Sequence, residues 1–128
     1  MMEKILVIDD DRVIIKRIKE ILESENYEVL EAMDGLEGLN LARKERPDLI
    51  VLDLLLPKLN GHQVCRMLKF DSRFKHIPVI MFTSNVSVKD KELGRQAGAD
   101  AYLFKKYSPD HLLKIVKSLL AGKTQKDH

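Results

Sequence analysis

The apolar run Lys4-Ile5-Leu6-Val7-Ile8 is followed directly by three acids, Asp9-Asp10-Asp11. Four consecutive apolar residues without alternation favour a parallel strand whose two faces are both covered. Similar runs lie at 49–52 and 79–82, whereas Tyr27–Glu31 contains two glutamates and is typical of an edge strand. These runs predict an open parallel sheet.

Each strand-like run is followed by a stretch with helical periodicity. The runs begin near Lys4, Tyr27, Asp48, Ile77 and Ala101. The first helix has a single apolar stripe, formed by Ile14, Ile15, Ile18, Ile21 and Leu22. The last helix is predicted to open with Ser108-Pro109-Asp110, an N-cap followed by proline at the first helical position. Alternating strands and helices with short connections predict one α/β domain of five βα units, with helices on both faces of the sheet.

The three middle helices have weaker patterns, and we predict them at 35–45, 61–70 and 87–97. The fourth helix has only Val88, Leu93 and Ala97 as apolar anchors, so we expect it to be the most loosely held. Met67 and Met81 are predicted to lie in the core. Surface positions are expected for His62, His76, His111 and His128. The domain is predicted over 3–121, with a short polar tail over 122–128.

Length and composition limit the class of protein. The 128 residues are 45% hydrophobic and 33% charged, which excludes disorder and favours one soluble globular domain. Cys65 is the single cysteine, so no intrachain disulfide can form. No apolar run approaches the ~20 residues of a membrane span, and no signal-peptide pattern is present. These features predict a cytoplasmic protein that does not bind membranes.

The net charge of +2 argues against direct nucleic-acid binding, but the charge is unevenly distributed. Residues 1–83 carry 13 basic and 15 acidic side chains, for −2, and residues 84–128 carry 9 and 5, for +4. The basic region contains Lys89, Lys91, Arg95, Lys106, Lys114 and Lys117. A solvated helix face is the default interpretation of these side chains, and a partner protein with an acidic patch is the sharper hypothesis.

Acidic residues follow two of the predicted strands. Asp9 and Asp10 end the first run, and Asp53 follows Leu49-Ile50-Val51-Leu52. If the strand order is 2-1-3-4-5, these carboxylates converge at the carboxyl edge of the sheet. Two carboxylates about 5 Å apart repel by roughly 3 kcal/mol at an effective dielectric constant of about 20, so the cluster needs a cation or retained protons. Oxygen ligands alone favour Mg²⁺ or Mn²⁺, whereas Asp11 is the natural cap of the first helix.

Residues that are missing restrict the chemistry further. No glycine-rich phosphate loop follows the first strand, which excludes nucleotide binding in that mode. A carboxylate beside Mg²⁺ can still attack phosphorus and form an aspartyl phosphate. Thr83-Ser84 and Lys105 end the fourth and fifth strands and supply two hydroxyls and a cation.

Four motifs resemble the receiver domain of two-component response regulators, in particular the stand-alone regulators of chemotaxis. They are Ile5–Asp11, Asp48–Pro57 with Gly61, Pro78–Ser84 and Gly98–Lys105. The resemblance implies a flavodoxin-like (βα)5 fold with a five-stranded parallel sheet in the order 2-1-3-4-5. It also implies a phosphorylation-dependent switch rather than an enzyme.

The resemblance also implies a role for each site residue. Asp53 would accept the phosphoryl group, and Mg²⁺ would be bound by Asp10, Asp53 and the backbone carbonyl of Leu55, with Asp9 acting directly or through water. Lys105 and Thr83 would bind the phosphoryl oxygens, with Ser84 nearby. Tyr102 would change rotamer as Thr83 moves.

Some positions depart from the family pattern. Lys106 replaces the usual proline after Lys105, and a cis bond before a non-proline residue costs about 2.5–4 kcal/mol, so a trans peptide is predicted. Asn60 replaces a frequent aspartate, and Ser84 a common alanine. Leu55 has no polar group to orient a hydrolytic water, which predicts slow loss of the phosphoryl group.

The predicted donor is a sensor histidine kinase or a histidine phosphotransfer protein. The predicted output is a partner protein bound on the face of helix 4, strand 5 and helix 5, by a monomer or a phosphorylation-dependent dimer. Two alternatives remain open: an aspartyl-phosphate phosphohydrolase of the haloacid dehalogenase type, and an interaction module that does not depend on phosphorylation. The first would require an aspartate where Leu55 stands.

Overall fold

A computed structural model describes residues 2–84, 87–106 and 109–126, with side chains up to residue 122. Strands and helices alternate along the chain as β1 (Lys4–Ile8), α1 (Arg12–Ser24), β2 (Glu28–Ala32), α2 (Gly35–Glu45), β3 (Leu49–Leu52), α3 (Gly61–Lys69), β4 (Val79–Thr83), α4 (Val88–Ala97), β5 (Ala101–Phe104) and α5 (Pro109–Lys126). The five strands pair in parallel in the order β2-β1-β3-β4-β5. The predicted (βα)5 fold is therefore confirmed, with β2 at an edge.

Helices cover both faces of the sheet, because successive strand residues point to opposite sides. Leu6, Ile8 and Ile50 face the core beneath α2, α3 and α4. Ile5, Val7 and Val51 face the core beneath α1 and α5. β3 and β4 are buried along their whole length and β1 from Ile5 to Ile8, which is why these stretches are almost continuously apolar.

The helix starts are fixed by side-chain caps. Asp11 accepts hydrogen bonds from the backbone N–H groups of Val13 and Ile14, so it caps α1 as predicted. Asn60 begins α3 with a capping box, which accounts for the asparagine at that position. The predicted cap Ser108 lies outside the described residues. No helix in the described ranges is both long and apolar enough to cross a membrane.

Two details differ from the sequence predictions. α5 continues to Lys126, so the predicted tail is partly helical; apart from Gly122, residues 121–126 contain no strong helix breaker. The prediction of Met67 in the core was wrong, because Met67 lies on the outward face of α3 and is 42% exposed. Met81 is fully buried, as predicted.

α4 is weakly anchored. Its buried residues are Gly94 and Ala97, whereas Val88 and Leu93 are exposed. Two small side chains bury little apolar area, so the helix contributes little hydrophobic stabilisation of its own. This agrees with the sequence prediction of a loosely held fourth helix.

Candidate functional site

The strand ends bring three acidic side chains together. β1 and β3 are neighbours in register, with Ile8 opposite Leu52, so the next residues, Asp9 and Asp53, lie side by side. The backbone N–H of Asp53 donates to the carbonyl of Ile8 at 2.9 Å. Carboxylate oxygens of Asp9, Asp10 and Asp53 all lie within 4.8 Å of one another, with Asp9 and Asp53 buried and Asp10 exposed. The parallel register thus joins residues that are more than forty positions apart in the sequence.

Lys105 reaches the acidic cluster from the end of β5. Its Nζ lies 2.6 Å from Oδ2 of Asp9 and 3.2 Å from Oδ2 of Asp53. Its backbone N–H donates to the carbonyl of Thr83 at 2.8 Å, which extends the β4–β5 pairing to the site. The described backbone contains no cis peptide, so the Lys105–Lys106 bond is trans, as predicted.

Burial and neighbouring charges have opposite effects on the pKa values of Lys105 and Asp9. Burial disfavours the charged form of Lys105, but its hydrogen bond to Asp9 and the negative charges of Asp53 and Asp9 outweigh that effect and raise the pKa of the ammonium. The pKa of Asp9 is raised, mainly by burial, although the hydrogen bonds from Lys105 and from the backbone of Asp11 act in the opposite direction. Lys105 is therefore held as a cation against two desolvated carboxylates.

The cluster has the chemistry of a site for a hard divalent cation. Three carboxylates and one ammonium leave a formal charge of −2 when all are ionised. All the candidate ligand atoms of the cluster are oxygens, which Mg²⁺ prefers, and exposed Asp10 provides a side open to solvent. These residues therefore fit Mg²⁺ or Mn²⁺.

The hydroxyl residues occupy different positions at the same edge. Thr83 ends β4, is fully buried, and its Oγ1 has no hydrogen-bond partner within the described residues. A buried hydroxyl without a partner is costly and is a candidate donor to a ligand. Ser84 follows directly and is exposed.

The loop after Asp53 is shaped by close backbone packing. A side chain at Gly61 would overlap the carbonyl oxygen of Asp53, so only glycine allows α3 to begin so close to the acidic site. The backbone N–H of Gly61 donates to the carbonyl of Leu54 at 2.7 Å. Leu54 is buried, but Leu55 is 61% exposed and places an apolar surface beside the site.

Tyr102 lies half-buried against α4. Its ring packs over Gly94, where a Cβ atom would overlap Cε2 of the tyrosine. Its Oη lies 3.4 Å from Nε2 of His62. Burial, followed by the negative charges of Asp90 and Asp53, raises the pKa of Tyr102 to about 12. Tyr102 is therefore a neutral side chain between α4 and α3.

Sequence reasoning missed two polar residues that join elements. His62 was expected at the surface, but it is half-buried, and its Nε2 lies 3.1 Å from the carbonyl oxygen of Asp90. Lys69 donates to the carbonyl of Ile77 at 2.7 Å and pairs with Asp100 at 2.7 Å. The only sequence signal for His62 was its position next to Gly61, at the start of α3.

Fold and site together define a class. An open parallel sheet of five strands, with acids after β1 and β3 and a lysine after β5, is the arrangement of a phosphoacceptor receiver domain. The chain belongs to the response regulator receiver domain family, whose model matches residues 5–117.

Individual relatives agree with this family. The chain is 44% identical over 119 residues to the DNA-binding dual master transcriptional regulator RpaA of Synechocystis sp., covering 93% of this chain and 49% of RpaA. It is 37% identical over 120 residues to the polar-differentiation response regulator DivK of Brucella anthropi, covering 94% of this chain and 98% of DivK. The chain thus spans about half of RpaA and nearly all of DivK.

Solved structures agree as well. A CheY-like response regulator receiver domain protein from Methanospirillum hungatei superposes with a TM-score of 0.93 at 32% identity, covering 98% of this chain and 99% of that one. The chemotaxis protein CheY4 of Vibrio cholerae superposes with a TM-score of 0.86 at 33% identity, covering 93% and 99%. The chain is a receiver domain of two-component response regulators, a phosphorylation-dependent signalling switch.

Proposed function

We propose that Asp53 is the phosphoacceptor of this switch, and that Asp9, Asp10 and Lys105 assist the transfer. The observation that carries the proposal is the convergence of the three carboxylates within 4.8 Å, with Lys105 Nζ in contact with Asp9 and Asp53. Asp53 follows the central strand β3, and Lys105 donates to it at 3.2 Å while also pairing with Asp9 at 2.6 Å.

The chemistry is a nucleophilic displacement at phosphorus. A carboxylate oxygen of Asp53 forms the new O–P bond while the bond from phosphorus to the donor breaks, and the bonding pair leaves with the donor. Lys105 is held as a cation and supplies a positive charge to the phosphoryl oxygens, and Thr83 supplies a buried hydroxyl that has no partner among the described residues. Ser84 can add a second hydroxyl from the solvent side.

Bound Mg²⁺ or Mn²⁺ would offset charge on the phosphoryl oxygens during transfer. Asp10 and Asp53 would hold the ion directly, Asp9 directly or through water, and the backbone carbonyl of Leu55 would add a further oxygen. Because Asp9 is already paired with Lys105, its carboxylate also keeps the lysine positioned beside Asp53.

Phosphorylation would shift an equilibrium between two conformations. Once Thr83 binds the phosphoryl group, Tyr102 would change its rotamer and α4 would move. The weak anchoring of α4 by Gly94 and Ala97 supports a mobile element at this position.

The partners would use two surfaces. A sensor histidine kinase or a histidine phosphotransfer protein would deliver the phosphoryl group at the carboxyl edge of the sheet. An output protein with acidic groups would bind the face of α4, β5 and α5, where Lys91 and Lys106 lie 5.4 and 5.1 Å from the ring centre of Phe104. Lys117 pairs with Glu25 at the end of α1. Lys117 therefore lies on the side of α5 that is next to α1, and not on the face proposed for the output protein. A cytoplasmic location is part of this proposal.

The decisive experiment is incubation with Mg²⁺ and acetyl phosphate, followed by intact-mass measurement. We expect an adduct of about 80 Da, the mass of a phosphoryl group, which Asp53→Asn abolishes. Asp11→Asn is the matched control, because asparagine caps a helix as well as aspartate does, and it should keep the adduct. Absence of any adduct would favour an interaction module, and release of phosphate without an adduct would favour a phosphohydrolase.

A further inference from the structure

His62 and Tyr102 contact successive turns of α4. Nε2 of His62 lies 3.1 Å from the carbonyl oxygen of Asp90, and the Tyr102 ring packs over Gly94, one turn further along. A carbonyl oxygen only accepts, so the Nε2 atom of His62 must carry the proton. Burial lowers the pKa of His62, so this donor belongs to a neutral ring at neutral pH. Oη of Tyr102, 3.4 Å from Nε2, can then only accept from the same N–H.

α3 holds both ends of α4 through polar contacts. At the C-terminal end, Sγ of Cys65 lies 3.5 Å from the carbonyl oxygen of Ala97. Lys69 pairs with Asp100 just beyond that end, at 2.7 Å. At the N-terminal end the corresponding contact is made by His62, where apolar anchoring is poor because Val88 is 87% exposed. The two ends therefore differ: the C-terminal end has several attachments, whereas among the described residues the N-terminal half is attached through the hydrogen bond of His62 and through Lys91, whose Nζ lies 5.4 Å from the ring centre of Phe104.

From these contacts we infer that His62 is a positioning residue that holds the N-terminal half of α4 and the Tyr102 side chain in the unphosphorylated arrangement. His62 donates a hydrogen bond across the groove between α3 and α4, which is lined by His62, Gln63, Arg66, Leu93, Gln96 and Ala97. The strength of this hydrogen bond sets how readily α4 moves when Asp53 is phosphorylated. The inference about regulation rests on the proposed function, whereas the effect on α4 in the unphosphorylated protein does not.

Amide hydrogen exchange of the unphosphorylated chain tests the local effect. In His62→Leu, which keeps apolar bulk but removes the donor, we expect amides of α4 to exchange about fivefold faster, the Boltzmann factor of one ordinary hydrogen bond. His62→Gln offers an amide N–H of similar reach and should restore the wild-type rates. Arg66→Ala is the matched control, because Arg66 is exposed on the same helix and lines the same groove.

Several results would overturn the inference. Unchanged α4 exchange in His62→Leu would do so, as would a His62→Gln variant that behaves like His62→Leu. If the amides of β1 and β3 accelerate by the same factor as those of α4, the histidine supports the whole fold rather than α4.

The rate of adduct formation with acetyl phosphate and Mg²⁺ tests the regulatory part. We expect His62→Leu to be phosphorylated about fivefold faster than wild type, and His62→Gln at the wild-type rate, because the resting arrangement has lost one hydrogen bond. An unchanged rate alongside faster α4 exchange would overturn the role in regulation. If wild type forms no adduct, the proposed function fails, and the exchange result stands separately.

Discussion

Replacing Lys105 by methionine removes the ammonium from the acidic cluster while keeping much of the side-chain volume. Lys105 Nζ lies 2.6 Å from Asp9 and 3.2 Å from Asp53, and its side chain is 12% exposed. At an effective dielectric constant of about 20, these distances correspond to attractions of ~6 and ~5 kcal/mol. Desolvation of the three charges offsets much of this attraction.

The expected loss of stability follows from the charges that are left behind. Removing one partner of a buried ion pair costs about 3–5 kcal/mol, because the remaining charge stays desolvated and unpaired. Without divalent ions we expect Lys105→Met to lower the free energy of unfolding by about 3 kcal/mol. For a chain of this length, that corresponds to a fall in melting temperature of about 10 °C.

The effect of Mg²⁺ on stability distinguishes the loss of the Lys105 charge from a simple packing defect. The variant cluster has one more net negative charge, so Mg²⁺ should bind it more tightly and restore part of the stability. A tenfold gain in affinity gives up to about 1.4 kcal/mol, or roughly 5 °C. Urea unfolding and thermal melts, each with and without Mg²⁺, measure both effects.

Lys106→Met is the matched control, because Lys106 is exposed and lies over Phe104 rather than in the cluster. It should leave both the stability and the Mg²⁺ effect within about 0.5 kcal/mol of wild type. A loss below about 1 kcal/mol in Lys105→Met, or the same Mg²⁺ shift in variant and wild type, would refute the reasoning.

Four further predictions concern other residues. Leu55→Asn places a polar group beside the site and should shorten the phosphoryl lifetime several-fold in a phosphate-release assay; a wild-type lifetime no longer than the variant's contradicts this. Mg²⁺ should raise the melting temperature of wild type, and Asp10→Asn should remove most of that increment while stabilising the metal-free protein; an equal Mg²⁺ effect in both would argue against the cation site. Gly94→Ala should cost about 1–3 kcal/mol in urea unfolding because its Cβ overlaps Tyr102, and Tyr102→Ala should relieve much of that cost in the double variant. Burial raises the pKa of the Cys65 thiol to about 12, so alkylation by iodoacetamide at mildly alkaline pH should be slow until the chain is unfolded. In the unfolded chain the thiol ionises near its ordinary pKa. The contribution of Cys65 to stability is therefore fully present below the ordinary pKa and is lost as the pH rises toward 12.

The sequence predicted the fold well because its signals are local and strong. Continuous apolar runs at β1, β3 and β4 are what a strand covered on both faces requires, and Asp11 marks the start of α1 through its own side chain. The end of α5 was predicted less well, because residues 121–126 satisfy a helix as readily as a tail. Met67 was misplaced because a methionine suits either a core or an exposed helix face.

The sequence by itself determined which residues can carry the chemistry. Residue type and strand periodicity were enough to predict acids directly after two buried strands, and hydroxyls and a lysine after two other strands. Only the tertiary structure decided how these groups pair: Lys105 lies closer to Asp9 than to Asp53, and the Thr83 hydroxyl is buried without a partner among the described residues. The contact of His62 with α4 also depends on how two helices pack, which no local pattern encodes. Distances between elements result from the whole core, and so the local sequence around each residue could not specify them.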